Sequence, residues 1–227
     1  MANNGVSAMT RPADPALAGT HFLSMHPTPA FTALLPEGER LSEALRRVIL
    51  EREAAGAGGL ANSNVGGWHS ARDMTQWGGP ALDEVLAQAR AFADRLTVDR
   101  QGRPVAVEWR SECWANVNRS GQANKLHTHP GCFWSGTYYV DDGGIPEQPE
   151  LGGEFEFFDP RGVGPLLSEA EAAAAVPGEA LDGPLIRPQR GMMVLFPSWM
   201  PHGVRAYRGQ GTRISIAFNL ALGTSRP

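Results

Sequence analysis

The stretch NKLHTHPGCFWSGTYYV, residues 124–140, contains the pattern on which the fold assignment depends. His127 and His129 stand two residues apart, and a run of strand-forming residues follows them. In a β-strand, residues i and i+2 point to the same face, so both imidazoles would face one space. Two neutral imidazoles side by side can chelate a transition metal. The same spacing also fits two histidines that only form hydrogen bonds, so a third ligand has to be found.

The composition is that of a globular protein without a strongly charged partner. The chain has 227 residues, of which 42% are hydrophobic and 19% charged, and it is long enough to bury a core. A net charge of −4 and scattered basic residues argue against nucleic acid or an anionic membrane as a partner. A homo-oligomer is compatible with the sequence.

Cysteine usage and hydropathy predict the compartment. Cys113 and Cys132 are too few for a disulfide framework, although one bond between them would be compatible with the sequence, and they indicate a reducing environment. The N-terminus lacks a basic segment followed by an apolar one, and no apolar run approaches the ~20 residues of a membrane span. We therefore expect a cytoplasmic protein.

Two amphipathic helices are predicted in the N-terminal half. Apolar residues recur with helical spacing from Leu41 to Ala55, and glycines follow. Pro80 can occupy the first turn of a second helix, whose apolar side runs from Ala81 to Leu96. Each helix needs a sheet or another helix to cover its apolar side. The turn-rich segment GGLANSNVGGWHS between them, residues 58–70, is expected to form a long loop.

After residue 103 the pattern changes to the alternation of β-strands. The strand-like segments are VAVEWRSECWANVN (105–118), FWSGTYYV (133–140), GEFEFF (153–158), MMVLFP (192–197) and TRISIAFNL (212–220). SEAEAAAAV, residues 168–176, is predicted to be a short helix in an insertion between strands. We therefore predict an α+β, mainly β fold with one domain over residues 1–227. Helices and loops of about residues 1–104 would pack on a curved sheet or barrel of about residues 105–221.

The last predicted strand has a polar face that points to a ligand. In TRISIAFNL, Arg213, Ser215, Ala217 and Asn219 alternate with apolar residues that would face the helices. A buried arginine is costly unless it is paired, and an anionic ligand would supply the partner for the guanidinium and the hydroxyl. The competing interpretation is an ion pair to one of three carboxylates: Glu154, Glu156 or Asp159.

Two further residues are candidates for the same site. His202, in FPSWMPHGV, follows an apolar strand that Pro197 and Pro201 would stop, so it lies at the rim of the barrel, where ligands usually bind. It is either an ordinary turn histidine or the missing third ligand. Tyr139, on the polar face of FWSGTYYV, would donate its hydroxyl to the same anion or satisfy a polar group in the core.

The order of these motifs resembles the iron(II)- and 2-oxoglutarate-dependent oxygenases, whose core is a double-stranded β-helix, also called a jelly roll. GQANKLHTHP resembles the prolyl-hydroxylase segment in which a Gly-Gln pair precedes an HxD motif, and GGEFEFFDP resembles the GGE strand of that family. GMMVLFPSWMPHGV resembles the strand that delivers the distal histidine, and RISIAFN the strand whose RxS pair holds the 5-carboxylate of 2-oxoglutarate. HTHPGCFWSGTYYV, DPR, FPSW and RISIAFN together resemble a bacterial subfamily of unassigned substrate. The resemblance covers about residues 105–221. It implies a jelly-roll, cupin-like core with the N-terminal helices packed on its major sheet.

The resemblance also implies roles for individual residues. His127 matches the first iron ligand and His202 the last. Arg213 and Ser215 match the residues that bind 2-oxoglutarate. Asn124 stands where prolyl hydroxylases have an oxoglutarate-binding tyrosine, and Tyr139 is expected to take over part of that role.

His129 departs from the family pattern, because the family has an aspartate or glutamate at this position. The usual ligand set is two histidines and one carboxylate. Two answers remain open. His129 is itself the third ligand, which we favour because it has the backbone position of the residue it replaces, or a carboxylate such as Glu154 or Glu156 completes the set.

The function implied by the resemblance is an Fe(II) enzyme that uses 2-oxoglutarate as co-substrate and hydroxylates a small molecule or peptide. The sequence does not name the substrate. SNVGGWHS, with Trp68 and His69 after paired glycines, is either a lid or an ordinary loop with Trp68 in the core. One alternative function is a cupin-like three-histidine dioxygenase without 2-oxoglutarate, in which Arg213 and Ser215 would lack a role. The other is an inactive metal-binding jelly roll.

Overall fold

Two helices precede most of the β-structure in the computed structural model, which describes residues 28–56, 59, 63–105, 107–160 and 185–223. Helix α1 spans Gly38–Ala54 and helix α2 spans Gly79–Leu96, so both predicted helices are confirmed and begin slightly earlier than expected. Pro80 lies in the first turn of α2, where its missing N–H costs no helical hydrogen bond. The helix predicted over residues 168–176 lies outside the described residues. Among the helices that are described, none is long and apolar enough to cross a membrane.

The strands of the described chain are between two and ten residues long. In chain order they are β1 (Phe31–Leu34), β2 (Asn64–Val65), β3 (Trp68–His69), β4 (Trp109–Asn118), β5 (Ala123–His127), β6 (Trp134–Asp141), β7 (Phe155–Phe157), β8 (Leu185–Ile186), β9 (Met192–Pro197), β10 (His202–Val204) and β11 (Arg213–Leu222). They form two antiparallel sheets. The larger sheet has the order β1-β9-β6-β11-β4-β3, and the smaller sheet has the order β2-β5-β10-β7-β8.

The larger sheet packs its apolar face against the helices. The apolar residues that alternate along β11 are fully buried in one core with residues of α1 and α2 such as Leu45 and Leu82. The polar face of β11 points the other way, toward the smaller sheet, as predicted from the alternation of TRISIAFNL. The α+β, mainly β jelly roll with helices on the major sheet is therefore confirmed. The division into a single domain over residues 1–227 stays a prediction.

Two short strands replace part of the loop predicted between the two helices. The first strand, β2, pairs with β5 of the smaller sheet, and the second strand, β3, pairs with β4 of the larger sheet. Position 67 between them requires a glycine because the Asn118 side chain is so close that a Cβ there would lie 2.9 Å from it. Trp68 packs against the helix-side core. The segment from β2 to β3 thus links the two sheets through main-chain pairing, and the structure favours the core interpretation of Trp68 over a lid.

Candidate functional site

Three histidines meet between the two sheets. His127 on β5 and His202 on β10 are paired directly across the smaller sheet, and their ring centroids lie 4.3 Å apart. The ring of His129 lies 4.9 Å from that of His127 and 5.1 Å from that of His202. One nitrogen of each ring lies within 4.8 Å of the others, which is a spacing that could hold one metal ion.

The reason that His127 and His129 meet differs from the one predicted. Strand β5 ends at His127, so His129 does not share a strand face with it. His129 instead lies in the following loop, and its backbone N–H donates to the carbonyl of Ser198 at 2.9 Å. The loop that precedes His202 therefore also holds His129 in place.

In the rings of His127 and His202, the hydrogen bond formed by one nitrogen leaves the other nitrogen available for a metal. The Nδ1 atom of His127 donates to the carbonyl oxygen of Lys125 at 2.7 Å, and Nδ1 of His202 donates to that of Met200 at 2.8 Å. Because a carbonyl only accepts, the proton of each neutral ring is on Nδ1 and the lone pair is on Nε2. Burial lowers the pKa of His202 to about 4 and also lowers that of His127. Both rings are therefore neutral near pH 7, as metal ligation requires.

His129 is held differently, by a row of polar side chains on three neighbouring strands. Asn219 donates its amide N–H to Glu112 at 2.8 Å and accepts from the Ser135 hydroxyl at 2.7 Å. The same amide nitrogen lies 3.5 Å from Nδ1 of His129. This contact is longer than the Nδ1 contacts of the other two rings, so His129 is oriented less firmly. Burial lowers the pKa of His129 to about 3, so this ring is also neutral.

A bulge brings Asn124 into the same cavity. His202 pairs with His127, but Val204 pairs with Asn124, so β5 has one more residue than β10 in this interval. The extra residue lets Asn124 and His127 line the same cavity although they are three residues apart. Arg213 and Ser215 line it from the larger sheet.

Arg213 is a buried cation that forms no ion pair in the described part of the chain, although the charge of Glu154 acts on it from a longer distance. Only 1% of its surface is exposed, and it forms no ion pair with Glu154 or Glu156. Its Nε donates to the carbonyl of Gly153 at 2.9 Å, whereas Nη1 has no partner. Burial lowers the pKa of Arg213, but a guanidinium stays charged in a protein. An unpartnered buried cation beside the histidines is what an anion-binding site requires.

Tyr139 lies beside Arg213 but does not line the cavity as Arg213 does. The guanidinium carbon lies 5.3 Å from the centroid of the Tyr139 ring, and the buried tyrosine hydroxyl has no hydrogen-bond partner. Burial raises the pKa of Tyr139 to about 12, so its hydroxyl remains a donor. It is therefore available to an anion that reaches Arg213.

Sequence reasoning missed the asparagines of β4. Asn116 is paired with Ser215, and Asn118 with Arg213. Of the six buried side-chain polar atoms that lack a partner in the described residues, five belong to these asparagines, to Tyr139 and to Arg213. Such atoms are rare in native proteins, and their concentration here indicates a polar ligand. The alternation of polar and apolar residues in ECWANVN could have identified them.

The carboxylates considered as a third metal ligand do not lie in the cavity. Glu156 accepts a hydrogen bond from Arg205 at 2.7 Å. It lies on the face of β7 opposite to Phe155, whose ring stacks on that of His202 with the centroids 5.1 Å apart. Glu154 lines a different groove, together with Arg205 and Arg208. No Asp or Glu among the described residues lines the histidine cavity. The geometry therefore favours His129 over either glutamate.

Two facing antiparallel sheets with a histidine cluster between them define the class of this protein as a double-stranded β-helix with a candidate metal site. Residues 112–219 match the model of the family described as "Putative 2OG-Fe(II) oxygenase". This match confirms the family resemblance seen in the sequence motifs. No curated protein matches the chain.

Several solved structures share the fold. A prolyl-4-hydroxylase from Pseudomonas putida is 19% identical, with a TM-score of 0.59, and the alignment covers 91% of this chain and 95% of that chain. A Trichoplax adhaerens prolyl hydroxylase, solved with a hypoxia-inducible-factor peptide, is 15% identical, with a TM-score of 0.58 and coverage of 85% and 83%. HygX from Streptomyces hygroscopicus, solved with nickel, 2-oxoglutarate and hygromycin B, is 16% identical, with a TM-score of 0.53 and coverage of 86% and 83%. At these identities the similarity establishes a common fold.

Proposed function

We propose that this protein is an Fe(II)- and 2-oxoglutarate-dependent oxygenase that hydroxylates a small molecule or peptide and releases succinate and CO2. One observation carries the proposal above all others. A cluster of three neutral histidines and a buried arginine with an unpartnered N–H line one cavity. The expected cytoplasmic location and a homo-oligomeric state remain predictions.

In this proposal, His127, His129 and His202 each hold Fe(II) through one ring nitrogen. The available Nε2 atoms of His127 and His202 fit this role, and their Nδ1 hydrogen bonds to backbone carbonyls fix the rings in the required orientation. Bound iron would supply the activation of O2 for the oxidation. Three neutral ligands leave the full 2+ charge of the metal uncompensated by the protein, and a dianionic co-substrate can offset it.

Arg213 and Ser215 would bind the far carboxylate of 2-oxoglutarate. Tyr139 would donate its hydroxyl to the same carboxylate, and Asn124 would contact the co-substrate from the smaller sheet. The Nη1 of Arg213 and the hydroxyl of Tyr139, which have no hydrogen-bond partner, would gain hydrogen bonds when an anion is bound. The orientation of 2-oxoglutarate between Arg213 and the histidines would leave the remaining space of the cavity to the substrate.

The cupin-like dioxygenase without 2-oxoglutarate accounts for less of the cavity. It would use the three histidines, but it would leave Arg213 buried without an ion pair, at a cost of several kcal/mol. An inactive jelly roll leaves the same cost unexplained. HygX, which shares the fold, was solved with nickel and 2-oxoglutarate, and this supports the presence of both components here.

The test is an anaerobic titration of the Fe(II)-loaded protein with 2-oxoglutarate, followed through the weak visible charge-transfer band of an iron–oxoglutarate chelate. We expect the band in the wild type, its loss in Arg213→Gln, and loss of iron binding in His127→Ala. His129→Ala should weaken iron binding less, because His129 is oriented less firmly. Ser42→Ala, which removes a buried hydroxyl on the helix side, is the matched control.

Two results would contradict the proposal. Iron binding without the band would exclude 2-oxoglutarate as co-substrate and favour the three-histidine dioxygenase. A complete lack of iron binding would mean that the histidine cluster is structural.

A further inference from the structure

One wall of the cavity has no role in the proposed binding of iron and 2-oxoglutarate. It consists of His69, Arg72, Trp114 and Asn116, which we call the outer wall, and all four line the cavity. His69 is on β3, Arg72 follows it, and Trp114 and Asn116 are on β4, where Asn116 is paired with His69. Main-chain pairing of two adjacent strands therefore fixes most of the outer wall.

Arg72 provides a cation at the open end of this wall. Its side chain is 48% exposed, in contrast to the buried Arg213, so one exposed and one buried arginine line the cavity. The guanidinium carbon lies 5.0 Å above the ring of Trp114, and Nη1 donates to Glu112 at 3.1 Å. A guanidinium has five N–H donors, so this one ion pair leaves donors for a ligand.

Two neutral polar groups lie deeper in the outer wall. Nδ1 of His69 donates to the backbone carbonyl of Ser70, which leaves the lone pair of Nε2 as an acceptor. The His69 ring stacks on Trp114 with centroids 5.6 Å apart, and burial lowers its pKa, so the ring is neutral. Asn116 is 6% exposed, and its carboxamide oxygen has no partner. Both groups can accept a hydrogen bond from a ligand.

The charge balance of the cavity favours an additional anion. The metal and Arg213 together would carry three positive charges, 2-oxoglutarate carries two negative ones, and no Asp or Glu in the described chain lines the cavity. Arg72 lines the cavity beside Trp114, so its guanidinium is within reach of a ligand there, although Glu112 is its partner.

We infer that the outer wall is the substrate subsite and that it binds a small molecule with a carboxylate group. The carboxylate would pair with Arg72, and a hydroxyl or amide N–H of the same molecule would donate to His69 or Asn116. This inference rests on the proposed function, because it assigns the cavity space that 2-oxoglutarate leaves. It names Arg72 as the residue that determines specificity.

The experiment uses two anions and the two arginines of the cavity. The first stage is the 2-oxoglutarate titration of the Fe(II) protein, in which Arg72→Gln should change the dissociation constant by less than about twofold, whereas Arg213→Gln abolishes the band. The second stage titrates N-acetylglycine into the 2-oxoglutarate-loaded protein, with its carboxamide, N-acetylglycinamide, as the matched neutral probe. Calorimetry and the shift of the visible band report binding without turnover.

We expect N-acetylglycine to bind at least about tenfold more tightly than the carboxamide, and Arg72→Gln to remove this difference. Glu112→Gln should act in the opposite direction and strengthen binding of the acid several-fold, because it removes the negative charge beside Arg72 but keeps an acceptor for Asn219. The inference is overturned by equal binding of the two probes, by a difference that persists in Arg72→Gln, or by a lack of binding of N-acetylglycine to the loaded wild type. Failure of the first stage in the wild type would instead contradict the proposed function.

Discussion

Replacement of Arg213 by methionine should make the ligand-free protein more stable and the ligand-bound protein less stable than the wild type. Methionine is apolar and unbranched, and it would follow the path of the aliphatic part of the arginine side chain through the core. In the ligand-free state, Arg213 is buried and forms one hydrogen bond, to Gly153, and one cation–π contact, to Tyr139. Nothing in the described cavity neutralises its charge.

The expected change in the free energy of unfolding of the ligand-free protein is the sum of opposing contributions. Burial of a charge costs several kcal/mol even after relaxation, and replacement of buried ionic groups by apolar residues stabilises proteins by about 1–4 kcal/mol in favourable cases. Loss of the hydrogen bond and the cation–π contact of Arg213 offsets part of this gain, by about 1–3 kcal/mol. We expect a net increase of about 1 kcal/mol in the free energy of unfolding, or about 2–4 °C in Tm for a chain of this size.

Binding of 2-oxoglutarate should reverse the order of stability of the wild type and Arg213→Met. With 2-oxoglutarate at about 100 times its Kd and Fe(II) present without oxygen, the wild type gains about 2.7 kcal/mol, and Arg213→Met gains nothing from 2-oxoglutarate. Scanning calorimetry of both proteins, with and without the ligand, measures all four values. Arg46→Met removes a half-exposed arginine that pairs with Asp141 at 2.9 Å, and this control should respond to the ligand as the wild type does.

Two outcomes would refute this reasoning. If Arg213→Met destabilises the ligand-free protein by more than about 2 kcal/mol, the arginine is a structural residue that needs no ligand. If 2-oxoglutarate stabilises Arg213→Met as much as the wild type, the anion binds elsewhere.

Three further outcomes are expected. The pKa values of His129 and His202 are about 3 and about 4 in the folded protein, below the ordinary value of about 6.5, so the unfolded chain binds more protons in between. Urea unfolding of metal-free protein should therefore show full stability above about pH 6.5 and a loss of about 2 kcal/mol per histidine by about pH 4.5, and a flat profile would contradict the burial of these rings. Gly136→Ala should cost about 2–3 kcal/mol, because its Cβ would lie 2.3 Å from the Phe218 ring, whereas Gly211→Ala should stay within about 0.5 kcal/mol in the same unfolding assay. His129→Asp should retain Fe(II) in equilibrium dialysis, because it restores a carboxylate at this backbone position, and complete loss of iron would show that the site needs the length of an imidazole.

The long strands could be predicted because their alternation has one physical cause. One face of β6 and β11 is covered by the helices and the other faces the smaller sheet, so apolar and polar residues alternate with period two. The same alternation correctly placed Arg213 and Ser215 in the interior. Because this alternation involves only residues that are neighbours in the chain, it can be recognised in the sequence alone.

The short strands of the smaller sheet could not be predicted in the same way. Strand β10 has three residues, too few for a periodic pattern, and it exists because β5 and β7 pair with it on both sides. Strands β2 and β3 likewise form because each of them pairs with a strand of a different sheet. Registers between distant segments decide which residues share the cavity, and for this reason His69 and Arg72 of the outer wall were not predicted as site residues.

The third histidine changes the charge of the site more than its geometry. His129 stands where the sequence resemblance implies a carboxylate, and its backbone N–H donates to Ser198, so the three ligand candidates converge. A buried carboxylate without a metal would be costly, whereas a neutral imidazole is tolerated in the metal-free protein. With metal bound, however, the protein itself contributes no negative charge to the cavity lining. The negative charge would then come from bound molecules, and one buried and one exposed arginine in the cavity lining would offer a cation to each of two anions.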